Sequence, residues 1–245
     1  MKSILFGIVQ GLTEFLPISS SGHLFFAKRV FAFSGDAVPF FVMLHFATLG
    51  SIFVILRRVF LQSLRNIRLW GCIAGITLIT GVVGLVIDIF ISPYFELSWF
   101  IPALLFCNGS ILLFARRRTE APRVLGSITV KEVVLLGLLQ GLAVLPGISR
   151  SGITIIGMLR QGFAGEEAFH FSFLMAIPVI LVSFAVKAPS LLDTSWPAPA
   201  LAAGFVAAFV SGALALLVVR RTLRSNTFYR FSYYCFVVAA GGIFL

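Results

Sequence analysis

GIVQGLTEFLPISSSGH, Gly7 to His23, and GLLQGLAVLPGISRSGI, Gly137 to Ile153, are the two stretches that decide the fold. Both read Gly-x-x-Gln-Gly-Leu, then Leu-Pro, then Ile-Ser-x-Ser-Gly, with compensating one-residue shifts around the proline. Agreement at that level marks an internal repeat, and repeats govern how a chain is read. Each stretch also sets Pro, Gly and several Ser in the middle of a short apolar segment, where an uninterrupted membrane-crossing helix would not have them.

The rest of the chain is strongly apolar. Hydrophobic residues make up 59% of the 245, charged residues only 11%, and the mean hydropathy is +1.05. Soluble domains carry about 25% charged residues, so a soluble globular protein is excluded. The charges separate uncharged runs: 20 residues between Asp36 and Arg57, 19 between Arg68 and Asp88, 19 between Glu96 and Arg116, 19 between Glu167 and Lys187, and 26 between Asp193 and Arg220. A bilayer core of about 30 Å takes roughly 20 helical residues. Five spans follow, and a shorter sixth after Arg230. Lys2 precedes an apolar stretch, but Glu14 interrupts it and no small-residue cleavage site follows, so a signal peptide is not expected. Cys72, Cys107 and Cys235 sit in apolar runs and read as small buried hydrophobes.

A net charge of +10 raises the question of nucleic acid. The placement of the charge answers it. Arg57, Arg58, Arg65 and Arg68 follow span one; Arg116, Arg117, Arg118, Arg123 and Lys131 follow span three; Arg220, Arg221, Arg224 and Arg230 follow span five. These ends alternate as cytoplasmic ends should, so the basic clusters are topology signals and lipid contacts, and no nucleic-acid partner is expected. The Ser92–Leu97 and Ala188–Pro197 connections are then outside, the latter with Asp193 as its one formal charge. Lys2, Lys28, Arg29 and Lys187 run against this rule.

The expected architecture is an all-α polytopic membrane protein, one membrane domain over 1–245, with six transmembrane helices and two re-entrant helical hairpins. Repeat one covers 1–118, with a hairpin at about 3–27 and spans at about 37–56, 69–88 and 97–115. Repeat two covers 131–245, with a hairpin at about 132–162 and spans at about 168–187, 197–219 and 229–245. Each hairpin precedes three spans, an odd number, so the second repeat is inserted upside down relative to the first. The hairpins enter from opposite faces, and their irregular backbone requires a buried or wet shared site.

The hairpins carry the chemistry. A break in a helix leaves unpaired N–H groups at the start of the next half-helix, which with the helix dipole make an anion site. Ser19, Ser20, Ser21, Gly147, Ser149 and Ser151 add donors and close backbone approach, and Arg150 adds a permanent charge suited to bidentate grip on phosphate. Ser and Gly alone would read as helix packing; an arginine at membrane depth is costly and points to function. Gln10 and Glu14 share a helix face and are hard oxygen ligands suited to Mg²⁺ or Ca²⁺; a purely structural Glu14–Arg150 ion pair is the competing reading. His23, beside the serine run, reads as a base, acid or nucleophile, whereas His45 and His170 read as packing hydrogen-bonders.

These motifs resemble a known family. Gln10-Gly-Leu-Thr-Glu14 with His23 is similar to the Glu/Gln-x-x-x-Glu plus histidine signature of the bacterial undecaprenyl-diphosphate phosphatases, the bacitracin-resistance family. Pro146-Gly-Ile-Ser-Arg150-Ser-Gly-Ile-Thr154 resembles that family's Pro-Gly-x-Ser-Arg-Ser-x-x-Thr signature, and Phe171–Pro178 its following span. The resemblance implies hydrolysis of undecaprenyl diphosphate in the bacterial cytoplasmic (inner) membrane, at a site opening to the periplasmic or outer face. It implies a divalent cation on Glu14 and Gln10, Arg150 on the diphosphate with Ser149, Ser151 and Thr154 around it, a catalytic His23, and Ser20 as nucleophile or phosphate ligand. The nucleophile stays open among Ser20, His23 and water. The partners implied are the polyprenyl diphosphate and membrane lipids, and a homodimer stays open. The alternative class is a polyprenyl-phosphate flippase or transporter on the same inverted-repeat fold.

Overall fold

In a computed structural model the chain is described over residues 1–31, 38–116, 123, 125–191 and 196–244. Asp36, Arg117, Arg118 and Asp193, which bound runs or mark topology above, lie outside the described residues. The described chain is helical, and an isolated bridge between Arg123 and Phe163 is its β pairing. The helices are α1 (Lys2–Phe15), α2 (Ser20–Val30), α3 (Val38–Ile55), α4 (Arg57–Ser63), α5 (Ile67–Phe90), α6 (Phe100–Leu113), α7 (Val130–Leu142), α8 (Arg150–Arg160), α9 (Gly165–Lys187), α10 (Ala198–Arg224) and α11 (Phe231–Gly242).

Among the described residues three helices, α5, α9 and α10, are long and apolar enough to cross a membrane, and α3 with α4 makes a fourth if the bent pair is one span. The bend is 83° and falls where Arg57 and Arg58 follow the apolar run. Charged side chains there end the favourable apolar environment. α6 and α11 have 14 and 12 residues, or about 21 and 18 Å at 1.5 Å per residue, and both are extended at one or both ends by 3₁₀ turns.

Both motif stretches are broken helices. α1 stops at Leu16, which precedes Pro17 and is extended (φ −62°, ψ 145°), as a residue before proline prefers. α7 starts on a Thr129/Glu132 capping box, which satisfies two orphan N–H groups, and it stops before Pro146-Gly147. α2 and α8 start on Ser19 and Ser149, whose hydroxyls accept from Gly22 N and Gly152 N.

The two first half-helices pack alike. α1 lies on α10 through Gly7 and Gly11, and α7 lies on α5 through Gly137 and Gly141. These are equivalent positions of the repeat. A methyl on Gly11 would meet the α10 backbone, with Gly212 N at 2.7 Å, and one on Gly137 would sit 2.7 Å from Ile79 Cβ. α9 is the most enclosed long helix: Phe169, Phe171 and Phe173 are fully buried, and Phe173 packs edge-to-face on Phe15 of α1 at 5.4 Å. Of the three cysteines only Cys235 is buried, Cys72 being partly and Cys107 fully exposed, because an apolar run has a lipid face as well as a protein face. At the basic end, Glu166 pairs with Arg220 and Arg224, and Arg123 pairs with Glu132 at 2.5 Å.

The α1–α10 crossing makes a clear prediction. Gly11→Ala drives a methyl into α10 backbone and destabilises the protein by about 1–3 kcal/mol. Gly81→Ala on α5, where nothing lies within 4 Å, does not lower stability, since alanine favours a helix interior over glycine. Thermal unfolding in detergent micelles separates the two.

Candidate active site

The two hairpin breaks meet tip to tip, and each satisfies the other's backbone. Ser151 Oγ donates to Phe15 O at 2.9 Å and Ser149 Oγ to Leu16 O at 3.4 Å. In return Gly147 N donates to Ser19 Oγ at 3.0 Å. Asn108 of α6 joins both tips: its Nδ2 donates to Pro17 O at 2.9 Å, and its Oδ1 accepts from Ser149 N at 2.9 Å. Asn108 is fully buried. The one-residue shift in the repeat shows here as backbone geometry. Repeat two has an extra glycine after its proline, Gly147, at φ +118°, whereas repeat one bends at Ser19 itself, at φ +69°. A left-handed serine is strained; its hydroxyl is thereby turned onto the opposing tip.

Above the tips lies a charged cluster. Arg150 Nη2 donates to Glu14 Oε1 at 2.6 Å. Glu14 Oε2 accepts from Ser20 Oγ at 2.8 Å and from Gln10 Nε2 at 3.1 Å. His45 of α3 brings Nδ1 to 2.8 Å from Gln10 Nε2 and 3.3 Å from Glu14 Oε2. Every carboxylate oxygen therefore has a donor, as a buried charge requires. Arg150 Nη1 and Gln10 Oε1 are buried without a protein partner, so the arginine keeps a donor in reserve and the glutamine an acceptor.

A cavity of about 490 Å³ opens on this cluster, within the usual ligand-site range of roughly 300–1,000 Å³. Its polar lining includes Glu14, Ser19, Ser20, Ser21, Ser149 and Arg150, its apolar lining Leu24, Phe25, Phe41, Val179 and Phe184, and Lys28 and Lys187 also line it. The arrangement offers hydroxyl and guanidinium donors to an anion, apolar wall to a hydrocarbon, and a hydroxyl–carboxylate pair, Ser20–Glu14, with the geometry of a nucleophile and its base.

Not every residue picked out by sequence lies on this cavity. Ser151 is spent on the opposing tip. Thr154 hydrogen-bonds to Arg150 O and to Ser172 of α9, each at 2.7 Å, and so fixes α8 against α9. Gly147 is part of the tip, and Gln10 backs Glu14. His23 faces away: its Nδ1 is 2.8 Å from Ser19 O, its Nε2 2.9 Å from Tyr234 OH, and its ring stacks on Tyr234. It lines a separate groove with Tyr234 and Arg230. His170 sits 3.7 Å from Glu166, away from both tips. Conversely, His45, Thr80, Gln140 and Asn108, which the motif reading passed over, line the cavity or hold its floor. One signal could have found three of them: each of His45, Thr80 and Asn108 is a polar residue in the middle of an uncharged span, where polarity is costly and retained for a reason.

Fold and site together define a class: a multi-pass, all-helical membrane protein whose polar centre forms where two helical hairpins meet. The chain belongs to the bacitracin resistance protein BacA family, whose model matches residues 3–241. It is similar to the undecaprenyl-diphosphatase of Alkaliphilus metalliredigens (strain QYMF), 35% identical over 263 residues, with 98% of this chain and 96% of the relative covered. The undecaprenyl-diphosphatase of Thermotoga maritima (strain ATCC 43589 / DSM 3109 / JCM 10099 / NBRC 100826 / MSB8) is 36% identical over 236 residues, with 96% of each chain covered. That of Methanobrevibacter smithii (strain ATCC 35061 / DSM 861 / OCM 144 / PS) is 34% identical over 262 residues, with 97% and 94% covered.

Asn108 tests the tip-to-tip floor. Asn108→Ala leaves Ser149 N buried and unpaired and Pro17 O with only the weak thiol donor of Cys235 at 3.8 Å, at about 1–3 kcal/mol for the orphaned N–H. A marked drop in the unfolding midpoint is expected, whereas Cys107→Ala, one residue away on an exposed face, leaves the midpoint in place.

Proposed function

We propose that this chain is an integral membrane phosphatase that hydrolyses undecaprenyl diphosphate to undecaprenyl phosphate and inorganic phosphate. It thereby recycles the lipid carrier of cell-wall synthesis and confers bacitracin resistance. The single observation that carries the reading is the Ser20–Glu14–Arg150 constellation at the floor of a cavity with an apolar side. A binding site alone would need the arginine and the hydroxyls; it would not need a serine hydrogen-bonded to a carboxylate. Full-length similarity to undecaprenyl-diphosphatases at 35% and 36% identity supports the same substrate.

In this mechanism the diphosphate enters the polar end and the prenyl chain lies along the apolar wall. Arg150 grips the terminal phosphate through its unpartnered Nη1 while Nη2 keeps Glu14, and the serine hydroxyls add donors that stabilise charge on the transferring group. Ser20 Oγ attacks the terminal phosphorus and its proton passes to Glu14 Oε2. The bond from that phosphorus to the bridging oxygen breaks, its electron pair leaves on the lipid phosphate, and Glu14 passes the proton to that oxygen and is a carboxylate again. Water then attacks the phosphorylated serine, and Ser20 recovers a proton. The orientation of His23 toward Tyr234 supports Ser20 over His23 as nucleophile.

Among the described residues no three His, Cys, Asp or Glu side chains gather as a metal site. A divalent cation, Mg²⁺ or Ca²⁺, would be held by Glu14 and by Gln10, whose Oε1 is buried without a donor, with substrate oxygens as its other ligands. When bound it would offset diphosphate charge.

Six spans with two inverted repeats, 1–118 and 131–245, in the bacterial inner membrane complete the proposal. Support comes from the matched packing of α1 on α10 and α7 on α5 through repeat-equivalent glycines, and from basic residues alternating along the chain. The site then opens outward, with Lys28 and Lys187 lining its cavity.

Phosphate release from undecaprenyl diphosphate by the purified protein, with Mg²⁺ present, tests the reading. Ser20→Ala and Glu14→Gln lower kcat by about 10²–10⁴-fold, Arg150→Ala lowers kcat/KM at least as far, and His23→Ala stays within about tenfold of wild type. A phospho-enzyme trapped from the wild type is acid-stable, as a serine ester is. Absence of phosphate release by the wild type would overturn the proposal.

A further inference from the structure

Gln10 and Gln140 occupy equivalent positions of the two repeats, and their surroundings differ. Gln10 has Glu14 four residues on, and turns its amide nitrogen to that carboxylate. Gln140 has Val144 there, so no acid engages it from its own helix. Its Nε2 donates instead to Thr80 Oγ1 of α5 at 3.1 Å, and the Thr80 hydroxyl donates to Gly137 O at 3.3 Å. Thr80 Oγ1 thus accepts from the amide nitrogen of Gln140 while donating to Gly137 O, and the carbonyl oxygen of Gln140 faces away from that pair. Gln140 is 2% exposed, and its Oε1 is buried without a protein donor. Gln140 and Thr80 line the same cavity as Glu14, Ser20 and Arg150.

A buried carbonyl oxygen needs a donor, and the cavity that Gln140 lines can supply one. The ionised diphosphate does not supply one: its oxygens are acceptors, and two acceptors repel. The phosphate's own partners are the donors Arg150 Nη1 and the serine hydroxyls. What fits a neutral, oriented acceptor beside them is a molecule with protons to give.

We propose that Gln140 orients the water that performs the hydrolytic step, a role that rests on the phosphatase reading above. The water gives one O–H to Gln140 Oε1 and the other to Glu14. Its oxygen forms a bond to the phosphorus of phosphorylated Ser20, the P–Oγ bond breaks, and Glu14 returns a proton to Oγ. Gln140 takes no proton; it holds a lone pair of the water on the phosphorus. Orientation of this kind is lost with displacements of about 1 Å, at a cost of about 10²-fold in rate.

The test uses an alternative nucleophile. Methanol has a single O–H, which the base takes, so it gains nothing from Gln140; water has two and gains from both. Purified full-length wild type, Gln140→Leu and Thr80→Val are assayed on undecaprenyl diphosphate in buffer with and without methanol, and inorganic phosphate and methyl phosphate are measured. Gln140→Leu is expected to lower kcat for phosphate release by about 10–100-fold, to leave KM within about twofold, and to raise the methyl phosphate share. Thr80→Val, isosteric and without the hydroxyl that fixes the amide, shifts the partition the same way by less, and carries the test if Gln140→Leu does not fold. An unchanged partition in these variants overturns the proposal, whether kcat holds or KM rises, because Gln140 then contacts only the substrate or only the scaffold. A wild type that yields neither product overturns the phosphatase reading instead.

Discussion

Buried backbone groups have no water to turn to, and this constraint organises the molecule. Two helical stretches are broken, at Leu16–Ser19 and at Ala143–Ser149, and each break exposes carbonyls from the ending half and N–H groups from the starting half. Left alone, such groups cost several kcal/mol apiece. Here each tip is the other's solvent. The last carbonyls of α1 accept from the hydroxyls of Ser149 and Ser151, the N–H of Gly147 reaches Ser19, and Asn108 closes the circuit from α6. Neither hairpin is satisfied without its partner, so the site does not exist until the two halves of the chain are docked.

The two motif stretches repeat in sequence, and the chemistry on them does not. Glycines at repeat-equivalent positions bring α1 onto α10 and α7 onto α5. On that shared frame single positions diverge: Ser20 is matched by Arg150, Glu14 by a residue without charge, His23 by Ile153. The result is one hairpin with a hydroxyl and a carboxylate, and another with a cation. Bringing them together sets Ser20 and Arg150 on the two oxygens of a single carboxylate. A symmetric pair would have set like against like, two acids or two arginines, which a low-dielectric interior does not hold.

The sequence made the repeat, the breaks and the Glu14–Arg150 encounter legible, because each is written in spacing or in charge at membrane depth. It does not show what depends on rotation. His23 stands next to the serine run in sequence, yet as the fourth residue of α2 it turns toward Tyr234, some 210 residues away in the chain. His45 sits in an apolar span with no motif around it and ends beside Glu14 because α3 packs on α1. The 83° bend after Ile55 and the shortness of α6 and α11 were also beyond a count of uncharged residues. Such a count measures the run, and does not say how much of it stays helical.

The Glu14–Arg150 pair can be read as mere stabilisation, and its geometry argues against that. A pair built only for stability would saturate both partners, since unpaired donors in a dry interior cost free energy. Glu14 is saturated, with Arg150, Ser20 and Gln10 on its two oxygens. Arg150 is not: Nη1 is buried and unpartnered, at the floor of a cavity walled by hydroxyls. The guanidinium is planar and forked, so one edge can hold the carboxylate while the other meets a phosphate oxygen. Glu14 thus holds the guanidinium by one edge and leaves the other unpartnered. An ion pair left half-open in this way contributes less to stability than a closed one, and an unpartnered edge is what the proposed grip on phosphate requires.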